Sequence, residues 1–238
     1  MRLDRYLVTN EYTFSRNKAQ ELIKKGAVLV NGDVVTKPSY EITNGDNIRI
    51  TSNDQYVSRA AYKLKIFLER EKIDFKNKTV LDIGASSGGF TQVALEYGAK
   101  KVVAVDVGKG QLHETLRDCE RIENHENTDI RKFSYPTKFD VIVSDVSFIS
   151  LLYILDKIDE LAKDEIILLF KPQFEVGKNV KRDKKGVVMD KEAILRARRE
   201  FEKQTAKLNW KLVTSQESAI KGKEGNVEYV YRFKKNLL

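Results

Sequence analysis

The stretch Asp82-Ile83-Gly84-Ala85-Ser86-Ser87-Gly88-Gly89-Phe90 constrains this chain more than any other. The apolar run Val80-Leu81-Asp82-Ile83 leads into it and a helical pattern through Val93 to Tyr97 follows, so its glycines occupy a strand-to-helix turn. Glycine permits a tight turn there and lets a ligand approach the backbone, while the helix N-terminus offers unbonded N–H groups. The alternation continues downstream. Val102 to Val105, Val141 to Val143 and Ile166 to Phe170 are short, apolar and rich in β-branched residues, as strands buried on both faces must be. Strands alternating with helices predict an α/β fold, a doubly wound, mainly parallel sheet of Rossmann-like type. Ala60, Leu64, Phe67 and Leu68 mark a helix before the first strand, and Ile194, Ala197, Phe201, Thr205 and Leu208 mark a late one. Glu228 to Phe233 reads as the final strand.

The first 50 residues follow another pattern. Ser15 is placed to cap a helix whose Ala19, Leu22 and Ile23 share one face and which stops at Gly26. Arg16, Lys18, Lys24 and Lys25 take its remaining faces. Val28 to Val35 is largely apolar around Asn31-Gly32, a hairpin signal, and Asn44-Gly45 repeats the turn before Ile48-Arg49-Ile50. The run Thr51 to Gln55 is polar and aperiodic. These features predict a small α+β domain over residues 1–51, a linker over 52–56 and a larger domain over 57–238.

With 41% hydrophobic residues the chain has ample material for a core. No stretch reaches the roughly 18 uncharged apolar residues of a membrane span. The best candidate, Val141 to Leu155, is interrupted by Asp145 and three serines. No apolar segment follows Arg2 and Arg5 as a signal peptide requires, so a cytoplasmic location is expected. Cys119 has no second cysteine, and His113 and His125 alone do not complete a zinc cluster, so no metal is expected. The net charge of +8 is uneven. Residues 171–238 hold 18 basic against 9 acidic groups, whereas residues 56–170 hold 17 against 19. An excess of this kind points to nucleic acid or an anionic surface.

Three acids and bases stand where chemistry is expected. Asp106 ends the strand after the glycine turn, placed to accept hydrogen bonds from ribose hydroxyls. The spacing Gly-x-x-x-Gly-Gly departs from that of dinucleotide sites, and an acid just before the first glycine is typical of S-adenosylmethionine sites. Asp145 and Lys171 end two central strands, and ligands bind outside the carboxyl ends of such strands.

Arg2-Leu3-Asp4, Ser15-Arg16, Ala19, Leu22-Ile23, Gly26, Val30-Asn31-Gly32 and Lys37-Pro38 resemble an S4 RNA-binding domain. Val57-Ser58-Arg59 with Lys63-Leu64, the Asp82 to Thr91 stretch, Asp106-Val107-Gly108, Asp145 to Leu151, Lys171-Pro172-Gln173-Phe174-Glu175 and Gly225-Asn226-x-Glu228 resemble the TlyA family. That family joins an S4 domain to an FtsJ-like, S-adenosylmethionine-dependent ribose 2′-O-methyltransferase of ribosomal RNA. The resemblance covers essentially the whole chain. Ala60-Ala61 stands where the family commonly has two glycines, and Lys109 replaces a usual aromatic.

The resemblance implies a catalytic Lys-Asp-Lys-Glu tetrad at Lys63, Asp145, Lys171 and Glu228. It implies cofactor contacts at Asp82, Gly84, Ala85, Ser86, Gly88, Gly89 and Phe90, a ribose acid at Asp106 and an adenine-side acid at Asp129. A lysine acts as a base once burial, a neighbouring ammonium and a sulfonium charge bring it down from its usual ~10.4, and Lys171 is the candidate. RNA contacts are expected from Arg2, Arg5, Arg16, Lys18, Lys24 and Lys37, and from Lys181, Arg182, Lys184 and Lys185 in the basic segment 177–186. The implied target is a cytidine ribose of 23S rRNA, with one of 16S rRNA as a second. A chain stopping soon after its last strand favours 23S, hence the 50S subunit over the 30S. No membrane and no obligate protein partner is expected. The competing readings are a haemolysin or other membrane-active protein, a non-catalytic ribosome-assembly factor, and a dinucleotide oxidoreductase, which the glycine spacing disfavours.

Overall fold

A computed structural model describes residues 1–10, 12–13, 16–24, 26–43, 45–50 and 56–235, without the side chains of Asn17 and Lys18. The Ser15 cap, Lys25, Asn44, most of the expected linker and the Lys18 side chain therefore lie outside the described residues. The chain divides into two compact units, Met1–Val57 and Ser58–Leu238.

In the first unit, helices α1 (Leu3–Thr9) and α2 (Arg16–Lys24) accompany a three-stranded antiparallel sheet, ordered β2 (Asp33–Val34), β1 (Val28–Val30), β3 (Ile48–Ile50). Leu3 and Leu7, one helical turn apart, pack with Ala19, Leu22, Ile23 and Val28 in one core. Asn31 and Gly32 both have positive φ, 54° and 95°, as a two-residue hairpin turn of the right twist demands. The sequence pattern did not reveal α1, whose seven residues end in β-branched Val8 and Thr9. Asp4 adds a contact that the pattern also did not reveal. Its carboxylate has no exposed surface and accepts from Arg2 Nε and Nη2, Arg16 Nε and Gln20 Nε2, all at 3.0 Å. The Arg2 hydrogen bond leads in holding it far below the usual carboxylate range. Arg2 and Arg16 thus share an internal carboxylate, Arg2 half-buried and Arg16 exposed like Arg5, Lys24 and Lys37.

The second unit runs α3 (Ala60–Glu71), β4 (Thr79–Ile83), α4 (Gly89–Glu96), β5 (Lys101–Val105), α5 (Glu114–Arg117), β6 (Ile122–His125), β7 (Phe139–Ser144), α6 (Leu155–Leu161), β8 (Ala162–Phe170), α7 (Pro172–Glu175), α8 (Lys191–Lys207), β9 (Trp210–Glu217) and β10 (Tyr229–Lys235). The seven strands are ordered β6-β5-β4-β7-β8-β10-β9. β4 to β8 are parallel, and β10 is antiparallel to both its neighbours. From β4 the chain moves outward through β5 and β6, then returns to β7 on the other side of β4. That reversal is a topological switch point, where ligands enter such sheets. The core is aromatic at the far end. Phe201 of α8 meets the rings of Phe170, Tyr231 and Phe233 at 5.0–5.9 Å, which seats α8 over β8 and β10. β6 and β9 were not anticipated, because neither carries the buried apolar run of a central strand. Glu123, Asn124 and His125 are polar, and β9 is an edge whose Leu212 and Val213 are exposed. Among the described residues no helix is long and apolar enough to cross a membrane.

Candidate active site

The glycine loop follows β4 at the switch point. Gly84 has φ 78°, and a Cβ there would stand 3.1 Å from the Val146 Cα, so the loops after β4 and β7 are in backbone contact. Gly88, at φ 93°, turns the chain into α4. A Cβ on Gly89 would collide with Ser58 Oγ and come 3.0 Å from the Ala61 nitrogen. The close approach of α3 to the loop is therefore supplied by Gly89, and Ala60-Ala61 is compatible with it.

A cleft of about 1110 Å³ opens beside the loop, lined by Gly84, Ser86 and Asp106 on one side and by Val146 and Phe148 on the other. A smaller pocket takes in Ala85, Ser86, Gly89 and Phe90 together with Asp145 and Lys171. Asp106 Oδ2 accepts from the Ser86 amide at 2.8 Å and Oδ1 from the Gly108 amide at 2.7 Å, which aims this carboxylate and keeps it in the cleft wall. Asp129 also lines the cleft, but it is paired with Arg131 at 2.6 Å. That hydrogen bond leads in lowering its pKa to about 2. Glu126, absent from the expected set, accepts from the amides of Gln111 at 2.8 Å and Leu112 at 2.9 Å, holding the loop after β5.

Asp82 corrects the expectation of a cofactor contact. Its side chain is wholly buried, lines neither pocket, and accepts from Thr91 Oγ1 of α4 at 2.6 Å. Oδ1 has no hydrogen-bond partner. Burial raises its pKa to about 7, so the acid supports the loop from below rather than lining the crevice. Gly88 likewise lines neither pocket and acts through the turn it makes.

Four charged side chains separated widely in sequence meet at the crevice. Lys63 comes from α3, Asp145 and Lys171 directly follow β7 and β8, and Glu228 directly precedes β10. Lys63 Nζ is 2.7 Å from Glu228 Oε2 and 3.9 Å from Asp145 Oδ2, and Lys171 Nζ is 2.5 Å from Asp145 Oδ1. Lys171 also donates to the Asp145 carbonyl at 3.2 Å and to Ser147 Oγ at 2.8 Å. Side-chain exposure is 12% or less throughout, so each charge persists only because an opposite one accompanies it. The result is a neutral row, Glu228–Lys63–Asp145–Lys171, able to orient a hydroxyl, with its two close pairs joined by the longer Lys63–Asp145 contact.

The neighbouring residues were quoted within motifs but given no role of their own. Glu175 accepts from Ser150 Oγ at 2.5 Å and the Leu151 amide at 2.9 Å, tying α7 to the loop after β7, and burial pushes its pKa up. At that loop's tip Phe148 has φ 67° and is 92% exposed, its ring 5.4 Å from Phe174. Arg182 corrects another expectation. Its guanidinium donates to the carbonyls of Gln173, Gly177, Lys178 and Val180 at 3.0–3.3 Å, so it ties its own loop together. Lys181, Lys184 and Lys185 are exposed around it.

Comparison with known proteins assigns the chain to a family. The FtsJ-like methyltransferase family matches residues 56–235 and the S4 domain matches residues 1–48. A Campylobacter jejuni protein named 23S rRNA (cytidine-2′-O)-methyltransferase TlyA is 52% identical, over 99% of this chain and 100% of the relative. Hemolysin A of Brachyspira hyodysenteriae is 43% identical, over 98% and 99%. A Mycobacterium tuberculosis protein named 16S/23S rRNA (cytidine-2′-O)-methyltransferase TlyA is 37% identical, over 96% and 87%. Among solved structures, a Streptococcus thermophilus chain that carries a hemolysin name superposes with a TM-score of 0.74 at 29% identity, covering 99% of this chain and 88% of that one. Glycine loop, switch-point cleft, charged row and full-length relatives agree: the chain belongs to the TlyA family of FtsJ-like methyltransferases that carry an S4 domain.

Proposed function

We propose that this chain transfers a methyl group from S-adenosylmethionine to the ribose 2′-hydroxyl of a cytidine in ribosomal RNA, with 23S rRNA in the 50S subunit as the first substrate. The observation that carries the reading is the row Glu228–Lys63–Asp145–Lys171 in the same crevice as the glycine loop. The relatives add the nucleotide: the one at 52% identity is named for 23S rRNA, and the one at 37% is named for both 16S and 23S.

The residues present fit S-adenosylmethionine. Gly84, Ala85, Ser86, Gly89 and Phe90 of the loop line the pocket beside the charged row, Asp106 is held as an acceptor for ribose hydroxyls, and Ile130 beside Asp129 gives the far wall an apolar face. When bound, the cofactor supplies a methyl group activated by its sulfonium. The protein has to align the 2′-hydroxyl and remove its proton. Lys171 Nζ is the acceptor in this reading. Nζ donates to the Asp145 carbonyl and to Ser147 Oγ and stands 2.5 Å from Asp145 Oδ1, so in this reading it gives one proton to that carboxylate and then takes the proton of the hydroxyl. Lys63 and Glu228 orient the carboxylate and the substrate oxygen.

Purified 30S and 50S subunits incubated with protein and labelled S-adenosylmethionine test the reading. Label is expected on the 50S subunit, at the 2′-oxygen of one cytidine. Absence of transfer to either subunit, or label on a base, would sink it.

RNA is held in this reading by Arg5, Lys24 and Lys37 of the S4 unit and by Lys181, Lys184 and Lys185 beside the crevice. Replacing these last three together by alanine, with Arg182 kept, is expected to lower the slope of log K against log salt by about 2, since each lost phosphate contact removes roughly 0.7–0.9. Filter binding across a salt series measures it, and an unchanged slope would exclude the segment from the RNA interface.

A further inference from the structure

Glu228 is only 2% exposed, so protein groups rather than solvent fix its carboxylate. Lys63 holds Oε2 at 2.7 Å. The other oxygen, Oε1, accepts from Gln173 Nε2 at 3.1 Å. From a second side the turn before β10 closes on it, for a Cβ on Gly222 would stand 2.6 Å from Oε1 and 3.3 Å from Cδ. Gln173 is itself held, because its backbone carbonyl accepts from Arg182 Nη2 at 3.0 Å, and Arg182 gathers the carbonyls of Gly177, Lys178 and Val180 around it. Just after the basic segment the chain meets the turn before β10 again, where Asn226 Oδ1, in a side chain of a residue 5% exposed, accepts from the Val188 amide at 3.0 Å.

We infer that Gln173 is a positioning residue. It turns the Glu228 carboxylate toward Lys63 and, through its carbonyl and Arg182, keeps the basic segment in register with the charged row. The inference rests on the reading that this row performs methyl transfer. A hydrogen bond to a buried carboxylate is stronger than a neutral one, and its loss leaves an acceptor that water cannot satisfy. Without Gln173 the carboxylate keeps one anchor and can rotate about it.

Gln173→Ala is expected to lower kcat about tenfold or more, as a misplaced group does. The affinities for S-adenosylmethionine and for RNA should stay within about twofold of wild type, in line with a residue that touches neither. Gln173→Glu would set a second carboxylate beside Oε1. Two such groups do not ionise together readily, so the acid limb of the pH–rate profile should move to higher pH. Gly222→Ala presses on the same oxygen from the other side and should lower kcat in the same manner. A role confined to stabilising α7 would lower Tm and leave the shape of the pH profile unmoved.

The readout independent of activity is the side-chain NMR signal of Lys63 in lysine-labelled protein, assigned by its absence in Lys63→Arg. It should shift in both Gln173 variants. A wild-type protein that transfers no methyl group overturns the enzymatic reading alone. A Lys63 signal and a pH profile unmoved by both Gln173 substitutions overturn the inference.

Discussion

Lys171→Ala is expected to bind S-adenosylmethionine as wild type does and to lose about 10²–10⁴-fold in single-turnover methyl transfer, the usual worth of a positioned proton acceptor. Its ammonium bridges Asp145 Oδ1, the Asp145 carbonyl and Ser147 Oγ, so the substitution also releases the start of the loop after β7. Lys171→Arg separates the two contributions. Arginine keeps a positive charge against Asp145 but does not give up a proton in proteins. If Lys171 accepts the hydroxyl proton, the arginine variant is as inactive as the alanine variant. Recovery of most activity with arginine would leave Lys171 an electrostatic and positioning group and move the base elsewhere. Calorimetric titration with S-adenosylmethionine, run on both variants, shows whether the crevice is intact.

Asp82→Asn is expected to be more stable than wild type above neutral pH and nearly equal to it at pH 4. Burial raises the folded-state pKa of Asp82 to about 7 from its reference of 3.8. For an acid raised in this way the folded protein binds more protons than the unfolded chain. Its contribution to stability is complete below about pH 3.8, falls as pH rises and is lost once pH passes about 7. Asparagine is neutral throughout and can still accept from Thr91 Oγ1. The difference should widen between pH 4 and pH 8 to on the order of 1–4 kcal/mol, then level off. Denaturant unfolding at several pH values measures it. A difference independent of pH would mean that Asp82 does not titrate in this range.

What the sequence disclosed about the fold follows burial. β4, β5, β7 and β8 are covered on both faces for most of their length and therefore show as short, predominantly apolar runs. β6 and β9 lie at the two edges and carry polar or exposed residues, so no periodicity announces them. At the site, Asp145 and Lys171 were legible from their places at strand ends. The partnership of Lys63 with Glu228 was not, because those residues lie 165 positions apart and only a family resemblance placed them together. Asp82 shows the limit of a motif: position in a loop does not give the direction of a side chain, and this one turns beneath α4. Counting basic residues likewise could not distinguish Arg182 from its neighbours. A guanidinium's fork of donors matches several carbonyls at once, and the lysines beside it have no such geometry.

The ladder between β8 and β10 ends at the pair Tyr229–Phe170, one residue short of both Glu228 and Lys171. The sheet has therefore already met the entropic cost of bringing Lys171 and Glu228 to neighbouring strand ends. The terminal rung of any ladder opens most readily. Glu228 sits just beyond that rung, so its side-chain bonds to Lys63 and Gln173 act in return as a clasp on the sheet. Amide exchange at Tyr229 is therefore expected to quicken when either bond is removed.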